Sequence, residues 1–340
     1  MSGATGDGAG YAVVIPTVGR PCLTECLRAL AASAGPPPER LIVVDDRPAP
    51  GGGAAARGGL PLDAAGELRG RVTVLHGGGR GPAAARNTGW REVAASWTVF
   101  LDDDVRVTPS WRTDLARDLA AARAGTAGVQ GVLEVPLPAG RRPTDWERNT
   151  AGLACARWAT ADMAYRTACL AAVGGFDERF PRAFREDADL ALRMLDAGYG
   201  LTTGSRRTLH PVREANRWVS VRTQRGNADD ALMSAVHGPA WRERAAAPRG
   251  RIRRHAATAA AGVAAVALAA AGRRRTAAGA AALWLLGTAE FAGARITPGP
   301  RTRDEVATMV ATSVLIPPLA VCHRLSGELR HRRTRREAHR

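Results

Sequence analysis

The first half of the chain alternates short apolar runs with segments of helical period. YAVVIP (11–16) is a β-rich run closed by Pro16. Over 21–34, Leu23, Leu27 and Leu30 recur at spacings of 4 and 3 behind Pro21, which predicts a helix. LIVVDD (41–46) is continuously apolar before its two acids, the pattern of a strand buried on both faces. Residues 47–70 are rich in Gly, Ala and Pro and predict a loop. RVTVLH (71–76) reads as a third strand, 77–95 as a glycine turn and helix, and WTVFL (97–101) as a fourth strand running into Asp102, Asp103 and Asp104. A helix at about 109–124, a strand at 128–135, a polar loop at 136–157 and a strand at 159–166 follow. A short helix at 167–173, the turn 174–180 and an amphipathic helix over 184–197 come next. On that helix Ala188, Leu192 and Leu195 share a face, and Gly198 ends it. Residues 214–236 are mostly helical in pattern.

Strands separated by helical segments imply parallel βαβ units, an α/β fold with its sheet covered on both faces. Ligands of such sheets bind beyond the carboxyl ends of the strands. Two of the first four strands end there in acidic clusters. Charge at such a point is costly unless something cationic or rich in hydroxyls meets it.

From residue 241 the pattern changes. Three Ala-rich apolar stretches, 256–272, 276–294 and 306–322, are 17–19 residues long and lie between arginine clusters; Glu290 interrupts the second, and Pro317 and Pro318 the third. Their length approaches the roughly 20 residues that span a bilayer. Basic residues on both sides of each stretch give no consistent orientation by the positive-inside rule. Spanning helices, helices lying on a membrane surface and a soluble helical subdomain all remain open. The expected organisation is a disordered tail at 1–10, a catalytic domain at 11–240 and a basic, apolar helical region at 241–340.

Composition sharpens this division. The 340 residues are 45% hydrophobic and 24% charged, which excludes wholesale disorder and fibrous repeats. All 48 basic residues are arginine, and the net charge is +16. Residues 1–240 hold 29 arginines against 26 acids, a net of +3, whereas 241–340 hold 19 against 6, a net of +13. The basicity therefore belongs to the last third, and phosphates on an anionic membrane are its expected partners. Nucleic acid is not expected, because no recognition motif or aromatic stacking platform accompanies the charge. The five cysteines are odd in number and scattered, which points to a reducing cytoplasm; Cys22 and Cys26 read as small packing residues on one helix face and not as a zinc site. The opening ten residues carry no apolar core of a secretory signal.

The acids after the fourth strand carry the chemistry. Carboxylates at Asp102 and Asp104 can converge on one hard divalent cation, Mn²⁺ or Mg²⁺. The glycine-rich GGGRG (77–81) follows the third strand without a GxGxxG frame, which argues against a dinucleotide fold.

Taken together, VVIPTVGRP (13–21), VVDD (43–46), GPAAARNTGW (81–90), FLDDDV (100–105), VGGFDERF (173–180) and REDADLALR (185–193) resemble the family 2 glycosyltransferases in order and spacing over about 11–212. The resemblance implies the GT-A fold, a Rossmann-like mixed sheet flanked by helices. It also implies inverting transfer of a sugar from a nucleotide-sugar donor with a divalent metal. It does not extend over 241–340.

By that resemblance Thr17, Asp45 and Asp46 hold the base and ribose of the nucleotide. Arg86 and Asn87 of the Ala-Arg-Asn segment approach it. Asp102 and Asp103 bind substrate, and Asp102, Asp104 and His210 hold the metal. Asp187 is the implied general base, and Glu186 an orienting or acceptor-binding acid. Asp189 reads as structural. The chain departs from the family in RPAPGGG (47–53), which replaces the usual loop, and in Asp162, expected here to touch the donor sugar or acceptor. Trp90, Trp146 and Trp158 can stack on sugars, although core packing accounts for each as well. The location implied is the cytoplasm at the inner face of the membrane, with a lipid-linked or glycan acceptor. The alternative is a basic nucleic-acid- or membrane-binding protein on an inactive glycosyltransferase-like scaffold; retention of both acid motifs argues against it.

Overall fold

The computed structural model describes residues 10–48, 58–332 and 334. The tail expected at 1–10, apart from Gly10, and the centre of the 47–70 loop lie outside the described residues. The chain forms two compact units. One comprises Met1–Pro136 with Leu153–Pro211, and the other Leu137–Gly152 with Val212–Arg340. The longer segment of the second unit runs from Val212, where a boundary at 241 was expected, and its other segment comes from the first half.

The first unit is built on an eight-stranded mixed sheet in the order β3-β2-β1-β4-β7-β6-β8-β5. The strands are β1 (Tyr11–Thr17), β2 (Arg40–Asp45), β3 (Val72–His76), β4 (Trp97–Leu101), β5 (Arg106–Val107), β6 (Thr126–Glu134), β7 (Asp162–Arg166) and β8 (Gly200–Leu209). β1 to β4 are mutually parallel, and β7 is antiparallel to both β4 and β6. β8 pairs parallel with β6 and antiparallel with β5. This is the expected α/β mixed sheet, and the period-2 side-chain alternation divides its core in two. Val13, Ile15, Leu41, Val43 and Val99 face one layer with α1 (Cys22–Ala32). Ala12, Val14, Ile42, Val44 and Phe100 face the other with α2 (Pro82–Trp90). The first layer also takes Trp111 and Leu115 of α3 (Trp111–Ala121). The second takes Leu170 of α5 (Thr167–Ala172) and Leu190 and Met194 of α6 (Glu186–Asp196). Gly89 lets α2 lie close on the sheet: a Cβ there would stand 2.4 Å from Val14 Cγ1.

The second unit is helical. α4 (Asp145–Ala151) occupies the centre of the stretch expected to be a polar loop. Thr144 and Glu147 close a reciprocal capping box at its start. Next come α7 (Val219–Arg222), α8 (Gly226–His237), α9 (Trp241–Arg244), α10 (Ile252–Ala270), α11 (Arg274–Ile296) and α12 (Arg303–Arg330). α10 and α11 form a hairpin packed so closely that a Cβ on Gly287 would stand 2.5 Å from Thr258 Oγ1. α12 continues as helix through Pro317 and Pro318. By length and composition α11 and α12 are apolar enough to cross a membrane. The hairpin leaves apolar side chains outside: Val266 is 73% exposed and Leu286 66%, with Val263 and Leu283 also exposed.

Candidate active site

The carboxyl ends of β1, β2 and β4 bring Thr17, Asp45 and the 102–104 acids to one edge of the sheet. Each acid there is held by a specific partner. Asp103 is buried; it accepts a 2.6 Å bond from Thr17 Oγ1 and a 3.1 Å ion pair from Arg20. Burial pushes its carboxyl up, against the pull of both partners. Asp45 is clasped by Arg47, whose Nε and Nη2 donate at 2.8 and 2.6 Å. Arg20 and Arg47 went unnoticed in the sequence, although they stand three and two residues beyond a strand end.

Asp46 is spent on the backbone. Its carboxylate accepts N–H groups from Gly79, Arg80 and Gly81 at 2.9, 3.1 and 2.8 Å. It thereby folds the glycine turn in front of α2. That use corrects the expectation that its oxygens are open to a ribose. Asn87 is likewise fully engaged, donating to Phe176 O and Glu178 Oε1 and accepting from Trp90 Nε1 and Phe176 N. It ties α2 to the 174–180 turn and does not reach towards a nucleotide. Trp90 is committed by the same bond.

Arg86 links the two acid motifs. Its guanidinium is 2% exposed and donates at 2.8 Å both to Asp102 Oδ1 and to Glu186 Oε1. It points at protein carboxylates, where the nucleotide was expected. One guanidinium therefore fixes the distance between the 102–104 acids and the start of α6. Glu186 Oε2 is buried and has no hydrogen-bond partner among the described residues. Burial, then the neighbouring Asp187, pushes the Glu186 carboxyl well up; burial, and further off Asp102, also raises Asp187. Arg185, just before the pair, sits in the left-handed region at φ +79°, a strained conformation for a residue with a side chain. Asp189 turns inward and pairs with Arg193 at 2.7 Å.

Asp162 is corrected most clearly. It has no exposure. Its oxygens accept from Arg206 Nε, Trp111 Nε1 and Thr208 Oγ1 at 2.8, 2.8 and 2.6 Å. It is a core anion that anchors β7 to β8 and α3, and no substrate can reach it. Trp158 lies at the edge of the second core layer.

Asp102, Asp104 and His210 each offer a ligand atom within 4.8 Å of the others. His210 Nε2 lies 3.6 Å from Asp104 Oδ1. Two carboxylates and an imidazole on a largely buried floor make a donor set that fits a hard divalent cation.

A parallel half-sheet whose fourth strand runs into Asp-x-Asp, with an acid pair at the start of α6, is the arrangement of the GT-A fold. Residues 12–173 match the model for glycosyl transferase family 2. Among solved structures, the mannosyltransferase PcManGT from Pyrobaculum calidifontis, in complex with GDP-Man and Mn2+, is similar over 93% of this chain and 86% of its own. The identity is 20% and the TM-score 0.55, which shows the shared fold. TarS of S. aureus is similar over 66% of this chain at 17% identity and a TM-score of 0.41, and the match spans 40% of the TarS chain. No match is found among curated proteins.

Proposed function

We propose that the chain transfers a sugar from a nucleotide-sugar donor to an acceptor hydroxyl with inversion, with Asp187 as general base and Asp102, Asp104 and His210 as ligands of Mn²⁺ or Mg²⁺. The observation that carries this reading is Arg86, whose single guanidinium holds Asp102 and Glu186 together. Cation site and base pair thus border one space. The family match and the Mn2+ in PcManGT support it.

A divalent ion bound there supplies Lewis-acid relief of the charge on a leaving diphosphate. The chain's own groups do the rest. Thr17 and Asp45 offer hydrogen-bond partners to the nucleoside, with Arg20 and Arg47 as cations beside them. Asp102 and Asp103 line the same floor. Asp187 takes the proton of the acceptor hydroxyl as its oxygen attacks the anomeric carbon from the face opposite the leaving group. The new C–O bond forms as the bond to the diphosphate breaks, and the configuration inverts. The raised proton affinity of Asp187 makes it a stronger base than an ordinary carboxylate. Glu186 orients the acceptor through its unpartnered oxygen.

The second unit supports a location at the inner, cytoplasmic face of a membrane, lying on its anionic surface. Exposed valines and leucines of the α10–α11 hairpin stand between the arginines at 251–254 and 273–275. A lipid-linked or glycan acceptor would meet the enzyme there. The test is nucleotide release with UDP-, GDP- and dTDP-sugars in Mn²⁺, with the product anomer read by NMR. Release with none of the donors, or a product of retained configuration, overturns the reading.

A further inference from the structure

The second unit contains a cavity of about 420 Å³ to which sugar transfer assigns no role. Arg148, Arg251, His255, Phe291 and Arg295 line it, with Asp145 as the acid among them. Two of the guanidiniums are fixed in the wall. Arg295 is 8% exposed and donates to Asp145, Ser220, Thr312 and Ser313 at 2.8, 2.9, 2.8 and 3.1 Å. Arg148 donates to Pro143 O and Arg295 O, at 2.7 and 2.8 Å.

The other two basic groups are incomplete. Arg251 pairs with Glu290 and lies 5.3 Å over the Phe291 ring, and its Nε is buried with no partner among the described residues. His255 is 8% exposed and meets Phe291 edge-on at 4.7 Å. Neither of its ring nitrogens has a hydrogen-bond partner among the described residues. A buried donor such as Arg251 Nε is rarely left so in native proteins, and a ligand in the cavity beside it and the His255 ring would complete the site.

The charge around His255 selects that ligand. Arg251 faces it from the residue just before its helix, Arg295 and Glu290 from α11, and Asp145 and Arg148 across the cavity from α4. Burial, then the two arginines, hold the imidazole down at about 4, so the positive charges outweigh the acids. A compact anion with several acceptor oxygens matches unsatisfied N–H donors of this kind. The cavity exceeds the volume of one phosphate, and Phe291 and Ile316 give it an apolar side for the group esterified to that phosphate.

We propose that this cavity binds a phosphate group, free or as the headgroup of a lipid, with Arg251 and His255 as its open donors. The site lies wholly in the second unit and does not depend on the transfer reading. Full-length protein is therefore titrated calorimetrically in EDTA, without nucleotide, against inorganic phosphate and pyrophosphate at constant ionic strength. Saturable binding that weakens at least tenfold in both R251Q and H255Q supports the site. In the wild type, phosphate should protect Arg251 from phenylglyoxal, read by peptide mass mapping; this needs no variant to fold. Flotation separates the sources. Capture by phosphatidylcholine vesicles carrying phosphatidic acid, but not by vesicles carrying oleate at equal charge, assigns a lipid headgroup. Saturable binding of inorganic phosphate or pyrophosphate with no preference between the vesicles assigns a free phosphate. No saturable binding in either arm, or Arg251 equally modified with and without phosphate, overturns the proposal.

Discussion

Charge is handled in opposite ways in the interior of the first unit and on the α10–α11 hairpin of the second. In the first, acids and arginines are buried and mutually committed: Asp46 on three amide groups, Arg86 between two carboxylates, Asp162 on Arg206, Trp111 and Thr208. In the second, arginine clusters sit at both ends of a hairpin whose middle exposes valine and leucine. Paired burial fixes positions to within a bond length, which chemistry on a small ligand needs. Exposed charge beside exposed apolar area gives loose, additive attraction to a surface instead. A motif search finds the first arrangement, and composition finds the second.

The contrast can be broken at several points. Asp104→Asn removes a cation ligand from the floor; transfer should fall to background, and EDTA should do the same to the wild type until Mn²⁺ or Mg²⁺ is returned. Full turnover in EDTA would remove the metal from the mechanism. Asp187→Asn keeps the shape of the base and loses its proton affinity, so kcat should drop by roughly 10²–10⁴ with donor affinity little changed. A crippled Glu186→Gln beside an active Asp187→Asn would reverse the roles within the pair.

Asp162→Ala leaves Arg206 without one of its two carboxylates in the core. Unfolding free energy should fall by about 3–5 kcal/mol, as when a buried pair is broken. A normal stability with a raised donor KM would return Asp162 to substrate binding. On the hairpin, Val263, Val266, Leu283 and Leu286 changed together to Gln should release the protein from anionic liposomes and leave turnover of soluble substrates intact. Equal flotation of both proteins would leave the hairpin without a membrane role. Substitution is a cleaner test than truncation at 240, because the longer segment of the second unit already begins at Val212.

The smallest effect is on pH. Asp187 acts only when ionised, and its folded-state affinity for the proton is raised. Activity should therefore climb with pH above the ordinary carboxylate range, its acid limb displaced upward. Glu186, pushed up to about 8 by burial and by Asp187, is still protonated where Asp187 ionises, so Glu186→Gln should leave the limb in place. A limb that moves down in that variant would show that Glu186 ionises first and raises Asp187.

The sheet was legible because each of β1 to β4 is a short apolar run ending at a Pro, Gly or acid. The acid motifs were legible because they lie at strand and helix ends. What the linear pattern hid was partnership. Arg86 and Glu186 are 100 residues apart, and Asp162 and Arg206 are 44 apart. No local spacing reveals which of two buried acids meets a guanidinium and which faces a ligand. Asp46 was misassigned for the same reason: its partners are amide groups, which carry no side-chain signature. α4 is a different case. Its capping box, Thr144 with Glu147, stood in plain view inside a stretch read as loop on its polarity.

The arginine clusters at the two ends of the hairpin have a consequence for control. A guanidinium keeps its charge across any pH at which the fold survives. The chain has no lysine, so no side-chain amine is open to acetylation or to ubiquitin. Changes of pH and acyl transfer therefore leave the charge of these arginine clusters untouched. On the surface proposed to hold the hairpin, the density of anionic lipid, and the salt that screens it, would act as the dial for attachment.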